Sequence, residues 1–462
     1  MFWGVFVQRV NSPNPIVIAA FPLVVFFLAA IFSGLLEKLP ILNNIHLLTV
    51  VGGIALIVVG LGGRLPLVLN HPIGRCLLVF TAWYILSTPF GFWPGGSVKL
   101  FLDVWSKAFL SFVLVAGCVV TIKQCRTIYK TLGYSVGLLA IMALALRGVD
   151  KTGRLGLVGT RYENANDFAW TLVLGLSFLL YLVFRGDRRT KMIAAVCSVA
   201  ILLALVKTGS RAGMIGLLML AGFGFYQSSR TAKIRLGVAI PLLLLVLYFI
   251  APPDIRGRYT TFFGTGKDYT GIDVKQLPPE ERLKATASGS AEQRWTLLKD
   301  SIHLTILHPL LGVGPGNFQT AQVPLALARG ESRGAWRVTH NSYTQISSEM
   351  GIVGLAIYLA FVYQCFRPLN FIVRSKYQGK DWDDLRDSAR SLRASFVVMM
   401  AIALFDCYGY DTNIPILAGL ACALSLIAQR KRALMKESSR TVATPAETSL
   451  EHALEPAWTG VR

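Results

Sequence analysis

The sequence predicts an all-α polytopic membrane protein, and two observations lead to this fold class. The 462-residue chain is 53% hydrophobic and only 15% charged. Its apolar runs recur from Pro15 to Ala428, and each is about 17–25 residues long, the length that a helix needs to cross a bilayer. A soluble chain of this length would form several domains, but it would not carry such runs throughout.

Twelve predicted spans and one long polar insert divide the chain into four regions. Residues 1–251 are expected to form transmembrane helices 1–9, residues 252–345 a large loop, and residues 346–430 helices 10–12. Residues 431–462 are rich in polar side chains, which predicts a disordered tail. The predicted spans are 15–34, 45–63, 73–90, 100–121, 128–147, 167–184, 191–208, 212–227, 235–251, 346–366, 393–409 and 412–429.

The distribution of Lys and Arg predicts the orientation of these helices. Basic residues gather in alternate short loops and after the last span, so these segments are expected to be cytoplasmic. With an even number of spans, both termini are then cytoplasmic and the 252–345 loop lies on the opposite face. The 148–166 loop is the exception, because it also holds three cations. A net charge of +21 is also compatible with nucleic-acid binding. The cations lie between apolar runs, however, which favours contact with anionic membrane lipids. No nucleic-acid partner is therefore expected.

The sequence contains no recognisable metal or cofactor motif on the non-cytoplasmic face. The seven cysteines lie within or beside apolar runs without metal-type spacing, which favours buried thiols. P-loop and HExxH patterns do not occur. The Asp381-Trp382-Asp383 stretch has the spacing of a DxD metal site, but on the predicted cytoplasmic side a solvated loop is the better interpretation. We therefore expect no metal and no cofactor.

The 252–345 loop is expected to contain short helices. An amphipathic helix is predicted over residues 291–307, with Ser290 as its cap and His308-Pro309 as its stop. A second short helix is predicted over residues 323–329. Loops of this length are generally functional.

Two basic clusters near the outer ends of the spans indicate anion binding. In Lys207-Thr208-Gly209-Ser210-Arg211-Ala212-Gly213, glycines flank the arginine at the start of a helix, where backbone N–H groups favour an anion. The alternative is an interfacial arginine that extends to lipid headgroups. Arg294 lies on the predicted loop helix, where a solvated surface residue is the alternative.

Two further clusters carry side chains that could bind or deprotonate substrate hydroxyl groups. His340-Asn341-Ser342-Tyr343 precedes span ten, and histidine exchanges a proton near neutral pH, although a plain interfacial residue is the alternative. Arg161-Tyr162-Glu163-Asn164-Ala165-Asn166-Asp167 precedes span six. Its amides suit sugar hydroxyls, and capping of the span by Asn166 or Asp167 is equally compatible with the pattern.

The predicted location of these clusters restricts the substrate. An active site on the non-cytoplasmic face has no access to ATP or nucleotide sugars, so a glycosyl donor there is expected to be lipid-linked. A pyrophosphate leaving group needs cations, which arginine supplies with bidentate geometry. Arg211 and Arg294 then stabilise the leaving group, and His340 serves an acceptor hydroxyl as base or positioning group.

Four motifs, in their order along the chain, resemble the O-antigen ligase and polymerase superfamily of bacterial envelope glycosyltransferases. The resemblance implies a GT-C-like enzyme of the bacterial inner membrane, with about twelve helices and one large periplasmic loop between spans 9 and 10. Glu349, Gly351 and Gly354 are interpreted mainly as residues for helix packing and orientation. The motifs are Asn164-Ala165-Asn166; Gly209-Ser210-Arg211-Ala212-Gly213; Arg294 with His308-Pro309-Leu310-Leu311-Gly312-Val313-Gly314-Pro315-Gly316-Asn317-Phe318; and His340-Asn341-Ser342-Tyr343 with Glu349-Met350-Gly351 and Gly354.

The resemblance also implies the reaction, a metal-independent, inverting transfer of a glycan from undecaprenyl pyrophosphate to an acceptor hydroxyl. It assigns Arg211 and Arg294 to the pyrophosphate and His340 to the acceptor. Acceptors in the family are lipid A–core, a growing polysaccharide or a protein, and lipid A–core is slightly favoured. A lipid-linked sugar transporter is the alternative class, but it predicts two related halves that the sequence does not show. Further candidates for substrate binding are Lys207, Ser210, Arg161, Asn164, Asn166, Asn341 and Tyr343.

Overall fold

The computed structural model describes residues 14–39, 47–150, 153–261, 277–330 and 337–443. These residues form helices, and their only β-type pairing is an isolated bridge between Val149 and Leu155. Nine of the described helices are long and apolar enough to cross a membrane. The polytopic helical fold is therefore confirmed, while the count of twelve spans and the GT-C-like architecture stay predictions.

Most of the helices on both sides of the 252–345 segment follow one another with short connections, and a longer one joins α7 to α8. A 3-10 turn at Thr88–Phe90 follows α4, and a π-helical turn at Phe101–Trp105 joins α5 to α6. The helices are α1 (Pro15–Ser33), α2 (Leu47–Leu61), α3 (Leu65–Leu69), α4 (Pro72–Ser87), α5 (Pro94–Leu100), α6 (Ser106–Cys118), α7 (Ile122–Leu146), α8 (Ala165–Arg185), α9 (Arg188–Lys207), α10 (Arg211–Gln227), α11 (Arg230–Ile250), α12 (Pro253–Thr260), α13 (Pro279–Leu307), α14 (Phe318–Ala328), α15 (Ser342–Arg374), α16 (Lys380–Ile402) and α17 (Asn413–Ala443).

Helix α8 lies at the centre of the bundle. It packs against α7, α9, α10 and α16, and nearly all of its first four turns are buried. Trp170 on this helix is 1% exposed, yet its indole N–H is satisfied because it donates to Asp406 Oδ2 at 2.9 Å. Buried polar groups of this kind are retained only with partners, so α8 fixes the position of the segment that carries Asp406.

Several predicted boundaries differ from the structure. Helix α13 begins at Pro279 and runs through Ser290, so Ser290 does not cap it, whereas His308 does follow its last residue as expected. The cap of α8 is Asn164, whose side chain accepts the Asn166 N–H at 2.8 Å, rather than Asn166 or Asp167. A two-residue reach of this kind is the ordinary geometry of an Asn cap.

The last two helices also differ from the predicted spans. Helix α16 ends at Ile402, and residues 403–412 form a non-helical linker where the prediction continued the span to residue 409. Helix α17 runs to Ala443, beyond the predicted start of the disordered tail at residue 431. The remaining part of that tail, residues 444–462, lies outside the described residues.

A kink in α15 provides the docking point for the loop helices. Gly351 has φ +74, and a Cβ added there would lie 2.0 Å from the Leu310 carbonyl oxygen, so only glycine allows this approach. The Ile352 N–H donates to Pro309 O at 2.8 Å, and the Val313 N–H donates to Ser348 O at 2.8 Å. The turns that follow α13 are therefore bonded to α15 by backbone contacts.

Candidate functional site

The structure places the three predicted catalytic residues on one cavity. Arg211, Arg294 and His340 come from α10, α13 and the start of α15, and together they line a space of about 310 Å³. The rest of the wall is mostly apolar: Ala212, Ile215, Ala291, Trp295, Leu298, Thr339, Asn341, Leu404 and Phe405. We call this space the arginine cavity. Its mixture of apolar wall and a few convergent polar groups is typical of ligand sites.

Arg211 is the first residue of α10. Ser210 caps this helix, since its Oγ accepts the Gly213 N–H at 3.2 Å. The Arg211 guanidinium donates to Thr261 Oγ1 at 3.2 Å and to Ala287 O at 2.9 Å. Those two acceptors lie beyond α12 and on α13, so the loop helices hold the arginine at the mouth of the bundle.

Arg294 supplies the second cation of the arginine cavity. Its Nε atom is buried and has no hydrogen-bond partner among the described residues. Burial lowers the pKa of Arg294, Arg154 lowers it further, and Asp406 acts in the opposite direction. A buried N–H donor without an acceptor is costly, and an anionic ligand in the cavity would satisfy it.

Two further arginines, Arg258 and Arg154, lie near this region, and Arg154 is ion-paired with Asp150 at 3.1 Å. Arg258 is 5% exposed, and it donates to Gly209 O at 2.9 Å and to Leu283 O at 3.3 Å. Burial and the charges of Arg154, Arg211 and Arg294 lower the pKa of Arg258 to about 9. A pKa lowered by neighbouring cations reports mutual repulsion, which a bound anion would relieve.

His340 has an unusual backbone and an acidic neighbour. Its φ is +51, and Arg147 is the only other described non-glycine residue with a positive φ. Such conformations cost about 1–3 kcal/mol and concentrate at functional sites. The Nδ1 atom of His340 lies 3.7 Å from Asp406 Oδ1, an ion-pair distance, and has no hydrogen-bond partner among the described residues.

Asp406 is buried and its carboxylate has two firm donors. Trp170 Nε1–H donates to Oδ2, and the Cys407 N–H donates to Oδ1, both at 2.9 Å. Burial acts to raise the pKa of Asp406, but His340 and the Trp170 N–H more than offset it, so the pKa lies below its usual range. The negatively charged Asp406 carboxylate therefore lies next to the His340 imidazole.

The residues after His340 fasten it to the 403–412 linker. Ser342 Oγ donates to Asp406 O and accepts the Tyr408 N–H, both at 2.7 Å. Asn341 caps α15 through Oδ1, which accepts the Tyr343 and Thr344 N–H groups at 3.0 Å, and its Nδ2 donates to Leu404 O at 3.3 Å. Asn341 lines the arginine cavity, but its polar atoms are occupied in holding the backbone.

The other residues predicted to bind substrate do not line the arginine cavity. Tyr343 donates its hydroxyl to Met400 O at 3.0 Å. Ser210 is fully buried and donates to Asn166 Oδ1 at 2.9 Å, while Asn164 caps α8. The Lys207 side chain is exposed away from the cavity wall.

Arg161 lies in a different cavity. Its Nε donates to Glu37 Oε1 at 2.7 Å, and its backbone N–H donates to Glu37 Oε2 at 2.6 Å. The two residues join the loop before α8 to the end of α1. Arg161 is thus held by a carboxylate of the protein rather than directed at the arginine cavity.

Sequence reasoning missed Asp406 and gave Glu349 only a packing role. The signal for Asp406 was present, because an ionisable residue among apolar runs is uncommon and usually functional. Glu349 is 3% exposed, and its carboxylate accepts the Gly316 N–H at 2.8 Å and the Phe318 N–H at 3.3 Å. It therefore organises the glycine-rich turn, a specific contact that the sequence analysis did not assign.

Comparison with known proteins supports the O-antigen ligase family. The O-antigen ligase family model matches residues 196–359, a range that contains Arg211, Arg294 and His340. The chain carries the O-antigen ligase domain. The three predicted catalytic residues therefore lie within the matched range, while Leu404 and Phe405 of the cavity wall and Asp406 lie beyond it.

Curated relatives agree with the O-antigen ligase domain. A protein of Rickettsia felis is 24% identical over 314 residues, which cover 66% of this chain and 70% of the relative. A protein of Rickettsia prowazekii is 25% identical over 316 residues, covering 66% and 71%, respectively. Both carry the name "Putative polysaccharide ligase". The match to the O-antigen ligase family model suggests an enzyme that transfers glycosyl groups.

Proposed function

We propose that this protein transfers a glycan from undecaprenyl pyrophosphate to an acceptor hydroxyl. The single observation that carries the proposal is the meeting of Arg211, Arg294 and His340 on one cavity. Two guanidinium groups provide bidentate donors for a pyrophosphate. The apolar part of the wall suits the start of a polyprenyl chain.

The chemistry is a single displacement at the anomeric carbon. The acceptor oxygen forms a bond to that carbon on the face opposite the leaving group, so the configuration inverts. The bond from the carbon to the pyrophosphate oxygen breaks, and its electron pair leaves with the pyrophosphate. Arg211 and Arg294 stabilise the charge that develops there, and no metal ion is assigned a role in the proposal.

His340 takes the proton of the acceptor hydroxyl as the new bond forms. Asp406 Oδ1, 3.7 Å from Nδ1, favours the imidazolium that results. The positive φ of His340 directs the ring while Asn341 and Ser342 bind the neighbouring linker. The backbone strain is thus maintained by hydrogen bonds on both sides of the histidine.

The site is proposed to face the periplasm of a bacterial inner membrane. Basic loops at the opposite end of the helices support cytoplasmic termini. In this arrangement residues 252–345 form the periplasmic part of the enzyme, between residues 1–251 and 346–430 in the membrane. Lipid A–core is the favoured acceptor, since the relatives are named as ligases; a growing polysaccharide or a protein is the alternative within the family.

A transfer assay tests the proposal. The purified full chain is given a glycan on undecaprenyl pyrophosphate together with lipid A–core, polysaccharide or protein acceptors. Arg211→Gln, Arg294→Gln and His340→Ala are each expected to reduce turnover by about 10²-fold or more, as for loss of one transition-state contact. Arg282→Gln is the matched control, because Arg282 lies on α13 but is exposed. EDTA is expected to leave turnover unchanged, and full activity in all three variants would exclude the mechanism.

A further inference from the structure

A second, amphiphilic cavity lies beside the arginine cavity. It consists of a polar chamber of about 490 Å³ and an apolar groove of about 660 Å³. The chamber and the groove join, since both are lined by the same five residues: Ile31, Glu37, Lys107, Arg161 and Thr412. We call the joined space the Lys107 cavity. An apolar arm that opens into a polar chamber matches a lipid with a hydrophilic head.

Lys107 lies where the two parts join, and the helix that carries it is irregular. It belongs to the continuous apolar segment Pro94–Cys118, and the π-helical turn Phe101–Trp105 lies just before it. Turns of this kind occur frequently at functional sites. The turn places Asp103 on the chamber and Leu102 on the groove. An ionisable residue in such a segment usually faces a cavity and has a function.

The charge of Lys107 is available to a ligand. In the described parts of the chain no carboxylate forms an ion pair with it, whereas Arg161 is already bound to Glu37. Lys107 nevertheless borders both parts of the cavity. A phosphate group at the junction would supply the missing partner.

The polar chamber suits hydroxyl groups beyond that phosphate. Its wall includes the carboxylates of Asp103, Asp167 and Asp411 and the rings of Tyr162 and Tyr408. Carboxylates are acceptors for hydroxyl donors, and they would repel a second phosphate. The head that fits is therefore a phosphate followed by a hydroxyl-rich group such as a sugar.

The apolar groove suits hydrocarbon chains. It runs between α1, α2 and α6, and Phe27, Leu56, Phe109 and Leu110 are among its lining residues. Leu56 is also exposed at the outside of the bundle, so the groove is open towards the side of the helices. A lipid can therefore enter from the bilayer without leaving it.

We propose that the Lys107 cavity binds a phosphorylated glycolipid. Its chains lie in the groove, its phosphate contacts Lys107, and its sugar hydroxyls contact the carboxylates of the chamber. One short segment separates this lipid from the arginine cavity: Leu404 and Phe405 line the arginine cavity, while Cys407 and Tyr408 line the chamber. Asp406, between them, faces His340.

This arrangement gives the glycolipid the place of the acceptor, an assignment that rests on the proposed function. Thr339 Oγ1 and Cys407 Sγ, 3.0 Å apart, join the two walls directly beside His340. The 404–408 segment, whose residues line both cavities, lies between the bound head and the histidine. The binding of the lipid itself does not depend on the transfer reaction.

Photolabelling tests the site. The full chain is reconstituted in phosphatidylcholine vesicles that contain phosphatidylinositol with a photoactivatable acyl chain, because this probe combines a phosphate, a hydroxylated ring and hydrocarbon. Labelled peptides are expected from α2 and α6. Lys107→Gln is expected to reduce the labelling about tenfold, as for loss of one charge-assisted hydrogen bond. Leu110→Trp, which fills the groove, is expected to reduce it as well, with the melting temperature confirming a folded protein.

The controls separate this inference from the proposed function. Lys99→Gln, on the same apolar segment but outside both cavities, is expected to label like the wild type. Arg211→Gln is expected to abolish transfer and to leave labelling unchanged. Loss of transfer is then not mistaken for loss of lipid binding. Equal labelling by a photoactivatable phosphatidylcholine or glucosyl diacylglycerol, an unaffected Lys107→Gln variant, or displacement of the probe by free inositol phosphate would each overturn the proposal.

Discussion

The Glu349 carboxylate accepts the backbone N–H of Gly316 at 2.8 Å and thereby joins two motifs that lie 33 residues apart in the chain. Gly316 belongs to the turn after α13, the helix that carries Arg294. Glu349 lies on α15, which begins directly after His340. The distance between the second arginine and the histidine is therefore set by contacts at the kink of α15, away from both side chains.

Gly351→Ala is expected to disrupt this joint between the turn after α13 and helix α15. The new Cβ would lie 2.0 Å from the Leu310 carbonyl oxygen. Gly351 also has φ 74 and ψ 178, a backbone conformation that is essentially restricted to glycine and costs other residues about 1–3 kcal/mol. We expect a lower melting temperature and reduced transfer. Gly222→Ala on α10 is the control, because nothing lies within 4 Å of its added Cβ. Equal stability of the two variants would contradict the proposed joint.

The strained backbone of His340 predicts that substitution by glycine changes activity and stability in opposite directions. His340→Gly removes the strain of φ +51 and is expected to stabilise the protein by up to about 1 kcal/mol, while transfer is lost. His340→Val is expected to be both inactive and less stable, because a β-branched residue tolerates a positive φ poorly. Chemical unfolding of the detergent-solubilised protein measures the stability of both variants. A valine variant as stable as the glycine variant would show that the backbone is not strained.

Asp406→Asn is expected to change the dependence of stability on pH. Because the pKa of Asp406 lies below its usual range, its carboxylate stabilises the fold above the unfolded value of about 4. That contribution is lost as pH falls through the lower, folded value. The variant should be less stable than the wild type near neutral pH by about 1–3 kcal/mol, and the difference should shrink in acid. A difference that is constant from pH 7 down to pH 3 would contradict this assignment.

The two arginines of the arginine cavity, Arg211 and Arg294, predict that a pyrophosphate stabilises the protein. Binding at a hundredfold excess over Kd would add about 2.7 kcal/mol, seen as a higher melting temperature on titration with inorganic pyrophosphate. Arg211→Gln and Arg294→Gln are expected to abolish most of this shift, and Arg282→Gln to retain it. Sulfate at equal ionic strength controls for general screening. An equal shift with sulfate would argue against a specific site.

The sequence by itself predicted the membrane fold class and the three candidate catalytic residues that line the arginine cavity. Apolar runs are local signals, since each helix satisfies its own backbone within the bilayer. The motifs around Arg211, Arg294 and His340 are also contiguous in sequence. Short stretches of chain therefore contain enough information to name these residues.

Only the tertiary structure decided which groups surround them. Asp406 reaches His340 because α16 stops at Ile402 and the linker that follows is bonded to Ser342, a boundary that apolar periodicity did not reveal. The same holds for Lys107, whose cavity is formed by helices from separate parts of the chain. The physical reason is that burial and charge contacts depend on which helices pack together. Packing between distant helices produces no periodic pattern in the sequence of either helix.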